Sequence, residues 1–244
     1  MYYLYAIVDQ PERRLPALNG LGEALISKVH YRDLAAVVSP LTTSEVPALE
    51  TNVWRHESIL ESLMAERAVL PVRFGTVLAS EHAAEIALRE HYPGFLASLD
   101  LVRDRVEMSL RVLLPEEPAG MAVISETPSP GTGEGVGGGV SSGRAYMLAR
   151  LEEERTLLAT RAQAESQAAE LHEPLAALAA QSTCEVLTTP RMLLTATYLV
   201  ERTGVEAFRR ELERLNAAYC HLGFLCTGPW PPYSFVSAAL ASGD

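Results

Sequence analysis

An α+β fold in two units is what this sequence predicts, the first over residues 1–104 and the second over 105–244. Three observations carry that expectation. At 244 residues the chain lies between one large domain and two ordinary ones. Runs rich in aromatic and β-branched residues recur at strand length, and stretches with 3.6-residue periodicity separate them. An apolar fraction of 48% supplies a sizeable core.

The first unit opens on YYLYAIV, residues 2–8, a buried strand. PERRLPALNGLG follows as loop. ALISKVHY and LAAVVSP, near 24–31 and 34–40, are two more strands, and Arg32-Asp33 between them suits a tight hairpin. Residues 51–67 are helical, with Val53, His56, Leu60, Leu63 and Arg67 on one stripe flanked by Trp54 and Met64. VLPVRFGTVL, 69–78, is a strand interrupted by Pro71 and Gly75. Ser80 caps a helix running to about His91, and a shorter helix from Pro93 reaches Leu101.

In the second unit RVEMSLRVLL, 105–114, alternates Val106, Met108, Leu110 and Val112 with Glu107, Ser109 and Arg111, the pattern of a half-buried strand. Residues 115–143 form a Gly/Ser/Pro-rich insert whose composition cannot bury enough apolar surface to order itself, so a mobile linker is expected. A long helix follows from about Tyr146 to Ala180, with a break expected near Pro174. CEVLTT and MLLTATYLV make a hairpin split by Pro190-Arg191. Thr203 and Glu206 fit a capping box. The helix they would open aligns Val205, Phe208, Leu212, Leu215 and Tyr219 on one face, and CHLGFLCT, 220–227, is the last strand. The order β-α-β-β-α-β is the ferredoxin-like arrangement, here extended by its long first helix and by a Pro/aromatic tail over 228–244.

Composition excludes several functions. A net charge of −11 opposes binding to a phosphate backbone or an anionic bilayer, so no nucleic acid and no membrane are expected as partners. No apolar run approaches the ~20 residues of a membrane helix, and the N-terminus lacks a basic leader region, so the chain reads as cytoplasmic. Cys184, Cys220 and Cys226 read as buried thiols. The last two would stand about 20 Å apart in one strand at ~3.3 Å per residue, beyond disulfide reach, and no CxxC spacing suggests zinc.

Motifs of chemistry are equally sparse. Gly133, Gly135 and Gly138 satisfy G-x-G-x-x-G, but no strand precedes them, no helix opens on them, and Glu134 would repel a phosphate, so linker is the reading taken. His56-Glu57 begins an H-E-x-x-H pattern whose fifth position is Leu60, and His56 sits on the apolar stripe, which favours a structural histidine. The sequence therefore predicts no catalytic residue, no metal ligand and no cofactor site. Glu206 and Arg210 fit a helical i,i+4 pair. An unfamiliar enzyme would need Arg73, His56 and Glu57 to converge.

Two stretches remain as candidate contacts, structural or with a partner. In LPVRFGT the residues are Arg73, Phe74 and Gly75: Arg73 points to the wet face of a half-buried strand, or it anchors a contact by pairing a carboxylate. In GPWPPYSFV the prolines Pro229, Pro231 and Pro232 exclude helix and central strand alike. Trp230, Tyr233 and Phe235 each offer on the order of 150–250 Å² for burial. Either a clasp over the chain's own two units or a docking strip for another protein fits; the clasp is preferred, because such a strip left exposed invites aggregation.

Taken in order, YYLYAIV, DLAAVVS, the His56-Glu57 helix with LPVRFGTV, RVEMSLRV, GRAYMLARLEEE and TGPWPPYSFV resemble the GvpL/GvpF family of gas vesicle proteins over nearly the whole chain. The insert is where the chain departs from that pattern. The resemblance implies a non-catalytic accessory protein of gas vesicle assembly. Its implied partners are the small hydrophobic gas vesicle shell protein and other gas vesicle accessory proteins, and its implied location is the cytoplasm in association with gas vesicles. It also implies two α+β domains, the second a ferredoxin-like variant held by a C-terminal tail. A ferredoxin-like small-molecule-sensing module is the alternative.

Overall fold

In the computed structural model, residues 1–115, 139–189 and 191–236 are described. Most of the insert, with Gly133, Gly135 and Gly138, lies outside the described residues, as do Pro190 and residues 237–244.

Tyr2–Asp9 (β1) is the central strand of the first sheet and is buried on both faces. Beside it run β3 (Leu34–Pro40) and, outside that, β2 (Ser27–Tyr31), joined by the expected hairpin in which Arg32 adopts φ 51. After helix α1 (Glu50–Met64), β4 (Val69–Pro71) and β5 (Val77–Leu78) both pair with β1, all antiparallel. The register of β1 slips between Leu4 and Ala6, so Tyr5 is an extra residue. That bulge re-aims the strand: Tyr3, Tyr5 and Ala6 all join the core under α1, while Leu4 and Ile7 face the opposite core. Helices α2 (Glu81–Glu90) and α3 (Tyr92–Val102) cover that other face through Ala84, Leu88, Phe95 and Leu99. Ser80 Oγ accepts from the Ala83 N–H at 3.1 Å, the cap expected at the start of α2.

The second sheet holds β6 (Arg105–Leu113), β7 (Gln181–Thr189), β8 (Met192–Glu201) and β9 (Gly223–Trp230) in the order β7-β8-β6-β9, every pair antiparallel. Helices α4 (Gly139–Ala176) and α5 (Val205–Ala218) lie on one face of it. Ala168, Leu171 and Leu175 of α4, with Phe208 and Leu215 of α5, meet Val106, Met108, Leu110, Leu194 and Tyr198. Each fully buried leucine or phenylalanine contributes about 1.5–3 kcal/mol. This core is continuous with the one under α1, and the Arg202 guanidinium adds a hydrogen bond of 2.7 Å to the Met64 carbonyl oxygen across the two sheets.

Several expectations are corrected. Helix α4 begins at Gly139, inside the stretch read as insert, and it passes through Pro174 without breaking. Pro174 falls in the last turn, where the one missing N–H removes a single bond just before the helix ends. No capping box forms at Thr203, because residues 202–204 make a 3₁₀ turn that feeds straight into α5. Glu206 pairs with Arg209 at 3.2 Å, one position earlier than Arg210, whose Nε reaches only the Glu206 carbonyl. Cys184 and Cys220 are exposed thiols: Cys184 lies on an edge strand, and Cys220 precedes β9 instead of starting it.

Candidate functional site

The last strand carries the chain out of the second sheet and back over the first. Strand β9 extends through Pro229 to Trp230, three residues beyond the expected end, and lies at the sheet edge beside β6. Pro229 is tolerated there because an edge strand has one side free of ladder bonds. The register of β6 and β9 slips between Glu107 and Ser109. At that slip Gly228 takes φ 122, and a Cβ placed on it would stand 2.7 Å from the Glu107 carbonyl oxygen. Gly228→Ala is therefore expected to destabilise the fold by about 2 kcal/mol or more, since neither the backbone nor the neighbour can yield. A chemical-denaturation midpoint equal to that of the parent chain contradicts this.

After Trp230 the buried Pro231 and Pro232 lead into a single 3₁₀ turn at Tyr233–Phe235, so the stretch is not wholly free of helix. A lone turn needs only one i→i+3 bond, which Phe235 N–H makes to Pro232 O at 3.2 Å. Ser234 donates from both its backbone N–H and its hydroxyl to the Glu107 carboxylate, each at 2.8 Å. Glu107 is thus buried, whereas the alternation of its strand placed it on the wet face. Burial pushes its pKa up, against the two Ser234 bonds that favour the ionised form.

Tyr233 reaches the other half of the molecule. Its hydroxyl donates to Glu57 Oε1 at 2.8 Å and lies 3.2 Å from His56 Nε2. His56 is fully buried, and its Nδ1 is 3.0 Å from the Tyr3 hydroxyl, which in turn accepts from the Gly75 N–H at 3.1 Å. Because the single Tyr233 proton is given to Glu57, His56 must donate from Nε2, and Nδ1 must accept from Tyr3. The result is one directional chain, Tyr3 to His56 to Tyr233 to Glu57. The Tyr5 ring stacks on the imidazole at 5.8 Å, and Phe74 meets it edge-on at 5.7 Å. Burial lowers the His56 pKa to about 4, only partly opposed by the Val72 backbone carbonyl. Burial likewise raises Tyr233, Tyr3 and Glu57.

The residues singled out by sequence thus divide. Phe74, Gly75 and Tyr233 converge on the Tyr3–His56 pair, and Pro231 and Phe235 are buried. Arg73, Pro229 and Trp230 stay exposed, Trp230 at 41%. Arg73 lies in a turn closed by Thr76, whose hydroxyl donates to the Arg73 carbonyl at 2.7 Å. Sequence reasoning missed His56, Glu57 and Glu107 as partners of the tail, Ser234 as the tail residue that binds Glu107, and Tyr3 behind His56. A histidine and a tyrosine on apolar faces were the available signal, but nothing local says what they bond to. Chemically, both nitrogens of the fully buried His56 face tyrosine hydroxyls, so the ring serves as a link within the tail contact.

A family model described as "Gas vesicle synthesis protein GvpL/GvpF" matches residues 1–237, which runs from β1 through the whole tail just described. The chain belongs to the GvpL/GvpF family. Gas vesicle protein F of a Streptomyces species is 28% identical over 240 residues, covering 96% of this chain and 98% of that protein. Gas vesicle protein L of the same source is 26% identical over 259 residues, covering 98% and 94%. The crystal structure of GvpF from Anabaena sp. shares the fold with a TM-score of 0.72 at 20% identity, over 97% of this chain and 95% of that one. GvpL/GvpF proteins F and L are thus about equally similar to this chain.

Proposed function

We propose that this protein is a non-catalytic accessory factor of gas vesicle assembly that binds the small hydrophobic shell protein and other accessory proteins. The family match over residues 1–237 carries the reading. The geometry supports it, since the buried polar groups of the tail are spent on one another and hold the chain's own two halves. A shell subunit exposes apolar surface before it assembles. A partner with a net charge of −11 can cover that surface and keep the pair soluble by mutual repulsion between complexes. The reading places the protein in the cytoplasm in association with gas vesicles. It divides the chain at 104/105 and takes the second unit as ferredoxin-like, for which the order β9-β6-β8-β7, fourth-first-third-second in that unit, is the support.

Arg73, exposed in the turn after β4, and Trp230, exposed just before the buried tail, are the contact residues proposed within that role. Co-expression with the shell protein tests both levels. Soluble, co-purifying shell protein is expected with the parent chain, and reduced co-purification at an unchanged melting temperature with Arg73→Ala plus Trp230→Ala. Shell protein equally insoluble with and without the chain removes the shielding role; full binding by the double variant removes only the assignment of residues.

One observation favours a ligand-sensing reading as the second choice. An open concavity of about 400 Å³ on the second sheet is lined by Ser109, Arg111, Thr183, Glu185, Thr195 and Thr197 among others. A ligand that raises the melting temperature of the parent chain but not of Arg111→Ala would support it.

A further inference from the structure

The outer face of the second sheet, turned away from α4 and α5, is open at its centre. The alternation that sends Val106, Met108, Leu110 and Val112 under the helices puts Ser109 and Arg111 on this other face. Strand register extends both into rows. Arg111 lies opposite Thr195 and Thr195 opposite Glu185; Ser109 lies opposite Thr197 and Thr197 opposite Thr183. Residues directly opposite one another share a face, and these six border the concavity of about 400 Å³. We propose that it binds a short zwitterion of the amino-acid class, with the carboxylate on Arg111 and the ammonium on Glu185. The inference rests on the ligand-sensing reading of this face and names its ligand.

The charges decide the class. Arg111 and Glu185 are exposed, are of opposite sign, and form no ion pair among the described residues. They flank Thr195 across two strand spacings, so about 10 Å separates their Cα atoms at ~4.8 Å per strand. Side chains stand roughly perpendicular to a sheet, so the two heads border a common gap. Hydrogen bonds of about 2.8 Å at each end leave about 4 Å between the ligand's own charges, the span of an acid and an amine a few carbons apart. The half-buried Thr195 hydroxyl beneath can donate to the one and accept from the other. Other classes fit less well. Among the described residues no aromatic ring lines the concavity, so a flat base or ring has nothing to stack on. Its hydroxyls, of which Thr183 and Thr197 bond each other at 2.6 Å, do not suit a lipid tail. Glu185 repels a dianion and Arg111 a dication. Because both charges are exposed, the dissociation constant is on the order of millimolar.

Thermal unfolding of the full chain with γ-aminobutyrate, at about ten times that concentration, reads the site independently of any shell protein. The melting temperature is expected to rise by about 3–6 °C. Butyrate and butylamine, which carry one charge each, are expected to shift it little. Arg111→Glu or Glu185→Arg alone is expected to abolish the γ-aminobutyrate shift, and the two together to restore it with the ligand reversed. Both side chains are exposed, so none of these variants is expected to melt differently without ligand. Equal shifts from butyrate and γ-aminobutyrate that Arg111→Glu abolishes overturn the zwitterion but leave a ligand site on this face. No shift from any of the three compounds, or a charge swap that fails to restore binding, overturns the proposal. Equal shifts in the parent and all variants overturn the site together with its ligand.

Discussion

Replacing Tyr233 with alanine is expected to lower the unfolding free energy by about 3 kcal/mol, within the range for removing a large aromatic ring from a packed site. Its ring packs against the core shared by the two sheets, and its hydroxyl joins His56 to Glu57. The loss has two separable parts. Tyr233→Phe keeps the ring and removes the hydroxyl, which leaves the His56 N–H and the half-buried Glu57 without that partner; a cost of about 1–3 kcal/mol is expected. The remainder belongs to the ring. Ser234→Ala removes one of the two bonds to Glu107 and leaves the backbone one, so a smaller loss, on the order of 1 kcal/mol, follows. Urea unfolding of the three variants checks the ranking. If Tyr233→Ala shifts stability no more than a surface substitution does, about 0.5 kcal/mol, the tail does not hold the halves together.

The second large effect is a loss of stability in mild acid. His56 titrates near 4 in the folded chain against an ordinary 6.5, because burial disfavours the imidazolium. Between those values the unfolded chain binds the proton and the folded chain does not. Stability from this group is therefore complete above pH 6.5 and is lost as pH falls through about 4, a total of about 3 kcal/mol. Protonation also breaks the hydrogen-bond direction, since Nδ1 becomes a donor facing a Tyr3 hydroxyl that was donating to it. Glu57 and Glu107 work in the opposite sense. Their folded pKa values are raised, so each takes up its proton first in the folded state and gains relative stability as pH falls. The parent chain is thus expected to lose somewhat less than the His56 contribution alone. His56→Phe, less stable at neutral pH, is expected to show a flat or reversed slope between pH 4 and 6.5. Parallel pH profiles for the two proteins would falsify the assignment.

What the sequence made legible was what short-range periodicity encodes. The alternation in β6 identified Val106, Met108, Leu110 and Val112 as the inward set, and the stripe Val205, Phe208 and Leu215 located the buried face of α5. Ser80 was readable as a cap because its bond spans three residues. Segment ends were less legible where a neighbour overrode local preference: β9 runs on into Pro229 because β6 offers it a ladder, and α4 starts in residues whose composition speaks for linker. Val53 fell on the expected stripe of α1 yet is 37% exposed, whereas Ile59, outside that stripe, is fully buried. Ile59, three residues after His56 and four before Leu63, flanks the same face and joins the same core, so the packed face is turned toward Ile59 and away from Val53 by what lies against it.

The amino-acid sequence alone determined the α+β class, the family and an acidic surface unsuited to phosphate backbones, because each is written in local pattern or composition. It also marked the proline-aromatic ending as a strip with little freedom to lose on ordering. Only the tertiary structure decided that Tyr233 lies against His56 and Glu57, and that Ser234 covers a carboxylate which alternation had assigned to water. These contacts span 127 to 177 positions of chain. At that separation the pairing of polar groups is chosen by how the two sheets come together, and no motif of neighbouring residues carries it.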